Sequence, residues 1–301
     1  MQTEDPTTAP DGRSPRTALL LVLAAVVSVQ FGGALAATLV PQIGAGGSVL
    51  MRLGFAAVVL CLVARPRVHG YSKQAWRAVL LYGAAMGLMN LSFYASLGRL
   101  PIGVAVTIEF LGPLALATVL SRRVRDLAAV AAALTGVLLI SGALTTDWAT
   151  LAWGGIGFAA LAGAFWAAYI LTSGWAGAHF PGVDGVALAM VVGFVISLPF
   201  GVAHLAHVDG GILVRGLGIA LLSSVIPYSL ELVALRSLSA GAFGILLSLE
   251  PAVAALAGLL VLHQRLSALQ IGGMVLVVLA SALVMGSQRP DAAEAGAESG
   301  A

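Results

Sequence analysis

Charge is scarce in this chain. Only 13 acidic and 15 basic side chains serve 301 residues, 9% of the total, where a soluble domain carries about 25%. So few charges cannot cover the surface of a 30.4 kDa globule, which excludes a water-soluble enzyme. Cysteine is nearly missing as well. Cys61 stands alone, so no intramolecular disulfide forms, and no Cys/His cluster suggests a structural zinc site. His204 and His207 lie three apart at a helix end without further ligands, so neither metal nor cofactor is expected. Lys/Arg clusters with interleaved aromatics are absent, which argues against nucleic acid as a partner. The chain also has no His-Glu-x-x-His, no Gly-x-Ser-x-Gly elbow, no Asp-rich diphosphate motif and no Gly-x-x-x-x-Gly-Lys-Ser/Thr phosphate loop. It reads as neither an enzyme nor an ATP-driven pump.

What is abundant is apolar. The AVILMFWYC set makes up 59% of the sequence, which also excludes disorder. A bilayer core of about 30 Å requires roughly 20 apolar residues per helix. Ten such stretches are present, at about 17–40, 46–64, 77–98, 101–121, 125–143, 151–173, 184–206, 215–236, 238–262 and 266–286. Continuous rather than alternating hydrophobicity selects helices over barrel strands. The expected fold is therefore an all-α polytopic membrane protein with ten transmembrane helices. Residues 1–16 and 287–301 read as solvated tails. The first apolar stretch is too long for a cleavable signal and is expected to be retained.

Orientation follows from Arg and Lys. With the N-terminus inside, cytoplasmic segments hold Arg13, Arg16, Arg65, Arg67, Lys73, Arg77, Arg122, Arg123, Arg125, Arg236 and Arg289, and outer loops only Arg99, Arg215 and Arg265. Eleven against three places both termini in the cytoplasm. The 174–183 loop, inside in this scheme, carries no Lys or Arg.

The two halves echo each other. Leu100, Gly103 and Pro113 recur as Leu238, Gly241 and Pro251 at a spacing of 138. They suggest a five-helix repeat over 17–143 and a second over 151–286. Five is odd, so the second copy enters the membrane from the opposite side. Such inverted repeats mark secondary transporters, with substrate near the midplane between the copies.

Polar residues inside the apolar runs locate the candidate site. Away from helix ends the ionisable groups are Arg52, Glu109, Glu231 and Glu250. Each costs roughly 2.5–3.5 kcal/mol at a helix centre on insertion scales, which selects for a function facing the bundle interior. The alternatives are a structural Arg52–Glu ion pair and a Glu231 nearer the headgroups. Gly83, Gly87, Asn90 and Tyr94 share one helical face, with Gly83 and Gly87 forming a GxxxG suited to close helix contact. Ser224, Tyr228 and Glu231 share another, as do Ala162, Trp166, Tyr169 and Ser173, while Gln30 sits beside Gly33, Ala34 and Ala37. Packing or interfacial anchoring is the alternative for each aromatic. Pro113, Pro227 and Pro251 lie beside these residues and are expected to break their helices, since proline frees a backbone carbonyl.

Taken together, these residues resemble the EamA-type drug/metabolite transporter superfamily, and within it the bacterial threonine/homoserine exporters. The resemblance spans about 18–286. It rests on Ser28-x-Gln30-x-Gly32, Arg52-Leu53, Tyr82-Gly83 with Asn90 and Tyr94, and Pro101-x-Gly103-x-Ala105-Val106 leading into Glu109-Phe110-x-Gly112-Pro113-Leu114. Ser121-Arg122-Arg123, Trp166-Ala167-x-Tyr169-Ile170, Pro227-Tyr228-Ser229-Leu230-Glu231 and Ser248-x-Glu250-Pro251-Ala252 continue it. The resemblance implies ten helices in two repeats and export of small neutral amino acids by proton antiport. One departure is His263-Gln264-Arg265, where many members carry Gly-Glu.

The resulting expectation is an inner-membrane exporter of a small polar substrate against protons. Glu109 is the leading coupling or ammonium-binding acid, with Glu250 or Glu231 second. Asn90, Tyr94, Gln30 and Tyr228 orient the substrate, and Arg52 holds its carboxylate or a Glu. A drug-like cargo, to which Trp166 and Tyr169 would be suited, and a non-transporting membrane subunit are the rival readings. The sequence leaves a homodimer open.

Overall fold

Hydrocarbon offers no water to an unpaired backbone, so continuous apolar sequence satisfies its own hydrogen bonds as helix. The structure, a computed structural model, describes residues 15–121, 124–141, 152–181, 183–234 and 246–286, and among these every regular element is helical. The first two expected stretches fall on one bent element, α1 (Pro15–Ala64), with Ile43 and Gly44 non-helical inside it. Gly44 has φ +66°, a left-handed conformation open mainly to glycine. A Cβ there would also lie 3.1 Å from the His204 ring.

α2 (Lys73–Leu97) begins at Ser72, whose hydroxyl accepts from the Ala75 amide at 3.1 Å. Next come α3 (Ile102–Glu109) and α4 (Leu111–Ser121), interrupted at Phe110. α5 (Val124–Ser141) and α6 (Trp153–Gly177) follow, then α7 (Asp184–Gly201) with a 3₁₀ turn at Val202–His207. α8 (Gly210–Ala220) is capped by Asp209, which accepts from the Ile212 amide at 2.7 Å. A π-helical turn at Leu221–Val225 joins it to α9 (Ile226–Ala234). α10 (Glu250–Leu262) and α11 (Ala268–Gly286) complete the described chain.

Five helical stretches, Arg16–Ala64, Lys73–Leu97, Trp153–Gly177, Asp184–Ala206 and Gly210–Glu231, are each long and apolar enough to cross a membrane. Shorter apolar helices occupy Ile102–Leu116, Ala131–Ile140, Glu250–Leu262 and Ala268–Leu283. Arg13, Arg122, Arg123, Arg236, Leu238, Gly241 and Arg289 lie outside the described residues, as do residues 287–301 and most of the 1–16 tail.

Helix packing follows the small residues. α2 packs on α6 and α7, α5 on α11, α3 on α10, and α1 on α7, α8 and α9. A Cβ on Gly83 would lie 2.6 Å from the Ala189 carbonyl, and one on Gly87 3.1 Å from the Gly193 Cα. The GxxxG face therefore serves as a seam against α7. Gly136 and Gly273 face each other across the α5–α11 seam, where a Cβ on either would press on the other's carbonyl at 2.7 and 2.5 Å. The polarity of the fold is that of a lipid-dissolved protein. Leu20, Leu62, Val63 and Leu283 face outward, while Gln30, Arg52, Asn90, Glu109 and Glu250 are buried.

Candidate substrate site in the bundle interior

Two helix irregularities build the centre of the site. Pro227 has no amide hydrogen to donate to the carbonyl four residues earlier, that of Ser223. The π turn sits just before this proline, and the freed Ser223 carbonyl accepts from Arg52 Nη2 at 2.8 Å. Arg52 Nε donates to Ser224 Oγ at 3.2 Å, and Nη1 reaches the Tyr94 hydroxyl at 3.5 Å. The guanidinium carbon also lies 5.8 Å from the Tyr94 ring centroid. Close approach of the turn to α1 depends on Gly32, where any Cβ would collide with Ser223 Oγ. Ser28 fastens the same turn by donating to the Leu222 carbonyl at 2.7 Å. Among the described residues Ser223 Oγ is buried without a hydrogen-bond partner.

The second irregularity lies in α3–α4. Pro113 cannot donate to the Glu109 carbonyl, and the helix is interrupted between them at Phe110. That carbonyl faces Gly163 of α6, where a Cβ would lie 2.5 Å from it. The break presents Glu109, buried, without a hydrogen-bond partner among the described residues. Pro251 plays a different part: it stands in the first turn of α10, and the irregular backbone is the Ser248–Leu249 turn just before it.

The structure brings most of the expected residues together. Glu109 lies within electrostatic reach of Arg52, and Glu250 within that of both Glu109 and Glu231. Gln30 Nε2 donates to Glu250 Oε2 at 3.4 Å, a long bond across 220 residues of sequence. No ion pair joins Arg52 to any of these acids among the described residues; its hydrogen bonds go instead to Ser224, Tyr94 and the Ser223 carbonyl. The structural Arg52–Glu pair considered from the sequence is therefore not formed.

Other residues are placed differently from one another. Asn90 is buried, with Nδ2 donating to the Met86 carbonyl of its own helix at 2.8 Å. Trp166 packs edge-on against Phe110, centroids 5.5 Å apart, and so braces the α3–α4 break. Tyr169 meets Tyr82, with hydroxyls 3.4 Å and centroids 5.1 Å apart. Tyr228 is within electrostatic reach of Arg52, Tyr169, Glu231 and Glu250. Sequence reasoning missed Ser223, whose contribution is a backbone carbonyl; its signal was the proline four residues on.

Gln264 was read only as a departure from the family pattern. Its Oε1 accepts from the Ile102 amide at 3.1 Å, capping α3, whose flanking Pro101 supplies no side-chain cap. His263 ends α10 with φ 55°, in the left-handed region where glycine is the usual residue. A cavity of about 610 Å³ lies between α10 and α11, lined by residues such as Leu256, Leu259, Arg265, Ile271 and Val275. It is apolar and contains none of the central polar groups.

Chemically, the interior offers a guanidinium with hydrogen-bonding capacity in several directions, carboxylates with no counter-ion among the described residues, and hydroxyl and amide groups. Such a set suits a small zwitterion: a cation for its carboxylate, a carboxylate for its ammonium.

The EamA-like transporter family matches residues 153–286. Over 265 residues the chain is 38% identical to threonine/homoserine exporter RhtA of Salmonella typhimurium (strain LT2), covering 87% of this chain and 89% of that protein. The protein of the same name from Escherichia coli (strain K12) is 36% identical with the same coverage. One solved crystal structure superposes with a TM-score of 0.57 at 17% identity, over 90% of this chain and 96% of its own, a likeness of fold alone.

Proposed function

Because the chain belongs to the EamA-like transporter family, we propose that it is a bacterial inner-membrane exporter of threonine, homoserine and similar small neutral amino acids in exchange for protons. The family and these relatives are transporters, not enzymes. One observation carries the substrate class: Arg52, Glu109 and Glu250 come within electrostatic reach in series, buried inside the bundle.

In this reading Arg52 holds the substrate carboxylate, and Glu109 binds either the ammonium or a proton. Competition for one carboxylate couples the two fluxes directly, and no ATP-binding loop is required. Gln30 steadies Glu250, and Tyr94 steadies Arg52. Asn90 retains its amide oxygen for a substrate hydroxyl.

Helix pairing supports two inverted five-helix repeats. With the halves of α1 counted as the first two spans and α3–α4 as the fourth, α5 with α11 pairs the fifth span with the tenth, and α3 with α10 the fourth with the ninth. Rocking of such repeats about a central site gives alternating access, with the Phe110 break and the π turn as hinges. The Arg/Lys bias supports cytoplasmic termini, and a homodimer remains compatible with this scheme. A drug-like cargo is less well supported, because Trp166 is engaged by Phe110.

The test uses purified protein in liposomes, with labelled threonine and an imposed proton gradient. Gradient-dependent accumulation, competed by homoserine and not by aromatic cations, is the expected result. Competition by aromatic cations alone would select the drug-like cargo. Liposomes that move nothing would leave a subunit role.

A further inference from the structure

The polar residues of the bundle do not form one compact cluster. On α2, Tyr94 contacts Arg52 while Tyr82 contacts Tyr169. These positions are twelve residues apart, or about 18 Å along a helix. On the π turn and α9, Ser224 contacts Arg52, and Glu231 follows seven residues later, roughly 10 Å along the axis. Two helices thus carry polar groups from the Arg52 centre toward the same end of the bundle.

At that end four side chains gather. Tyr228 and Glu231 are three residues apart and share a face, and both are partly exposed. Tyr82 from α2 and Tyr169 from α6 meet at 3.4 Å between hydroxyls, with rings tilted by 46°. Glu231 is within electrostatic reach of all three tyrosines. Among the described residues it has no cation and no hydrogen-bond partner. A carboxylate near three phenol rings, with no counter-ion among the described residues, is chemistry suited to an organic cation.

We propose that Glu231, grouped with Tyr82, Tyr169 and Tyr228, is a separate loading station that captures the substrate's ammonium group before it moves to Glu109, Glu250 and Arg52. This rests on the amino-acid exporter reading and on its N-terminus-inside orientation, which puts Glu231 at the cytoplasmic end. Tyr228 links the stations, lying in reach of both Arg52 and Glu231. Glu250 is within electrostatic reach of both Glu231 and Glu109.

The experiment is threonine uptake into proteoliposomes sorted for the inside-out orientation, at saturating and limiting concentrations, for wild type, Glu231→Gln, Glu231→Asp and Tyr169→Phe. Glu231→Gln is expected to raise KM at least tenfold while kcat and the proton-driven accumulation ratio at saturation stay within twofold of wild type. Glu231→Asp is expected to recover most of the affinity, and Tyr169→Phe to retain the ring and shift KM less than threefold. Inhibition by the hydroxy-acid analogue of threonine, which lacks the ammonium, is expected to be unaffected in Glu231→Gln. Unchanged KM in Glu231→Gln overturns the loading station while leaving the exporter reading intact. Loss of the accumulation ratio with KM preserved overturns it too, by assigning Glu231 to proton coupling. Wild-type vesicles that take up no amino acid overturn both readings together.

Discussion

Arg52 shows how one side chain can organise a site with no ion pair among the described residues. Its donors are distributed between a hydroxyl and a backbone carbonyl of the π turn and a phenol on α2. A lysine keeps the charge but lacks the planar fork that reaches several acceptors at once. Arg52→Lys is therefore expected to cut threonine transport at least tenfold in proteoliposomes while the protein still purifies as a folded monodisperse species. Wild-type rates in that variant would show that charge alone suffices. The acids and Arg52 were legible in the sequence because ionisable groups in apolar runs are energetically conspicuous. The Ser223 carbonyl was not, since every residue carries one and only the helix geometry shows which is free. Trp166 was legible as a residue of the face but not in its role, because packing and substrate contact follow the same helical spacing.

Helix breaks act one level up. Replacing Pro227 restores an amide that can donate to the Ser223 carbonyl, in competition with Arg52. Pro227→Ala should thus straighten the π turn, raise KM for threonine severalfold and leave the melting temperature equal or higher; an unchanged KM would detach the turn from the site. Close helix approach makes a sharper prediction. A Cβ at Gly163 would press on the Glu109 carbonyl at 2.5 Å, whereas one at Gly157 of the same helix meets nothing within 4 Å. Gly163→Ala is expected to lower the melting temperature in detergent by several degrees and Gly157→Ala to leave it unchanged. Equal effects would contradict the seam. Periodicity and length announced the helices, and proline announced the neighbourhood of the breaks. Their positions needed coordinates: the α3–α4 interruption falls at Phe110 rather than at Pro113, and Pro251 starts a helix instead of bending one. The first two stretches read as separate spans because Pro41 to Gly47 carries turn chemistry, and within that segment Ile43 and Gly44 leave the helical conformation and divide α1 into two helices.

Across the described residues, an apolar outer surface surrounds an apolar core that carries a line of buried polar groups, an inversion of the outer surface relative to a soluble domain. The sequence announced this inversion through its shortage of charge, and family likeness was legible in short blocks such as Glu109-Phe110-x-Gly112-Pro113. Which helices pair was not legible, because glycine and alanine are spread through nearly every span and only their mutual contacts single out the seams. The central claim is that cargo and proton occupy the same buried carboxylate in turn. Its most direct measurement compares wild type and Glu109→Gln in proteoliposomes, recording labelled threonine/threonine exchange beside accumulation driven by a proton gradient. The account predicts that Glu109→Gln loses gradient-driven accumulation by at least tenfold while measurable exchange persists. Accumulation equal to wild type in Glu109→Gln would contradict it.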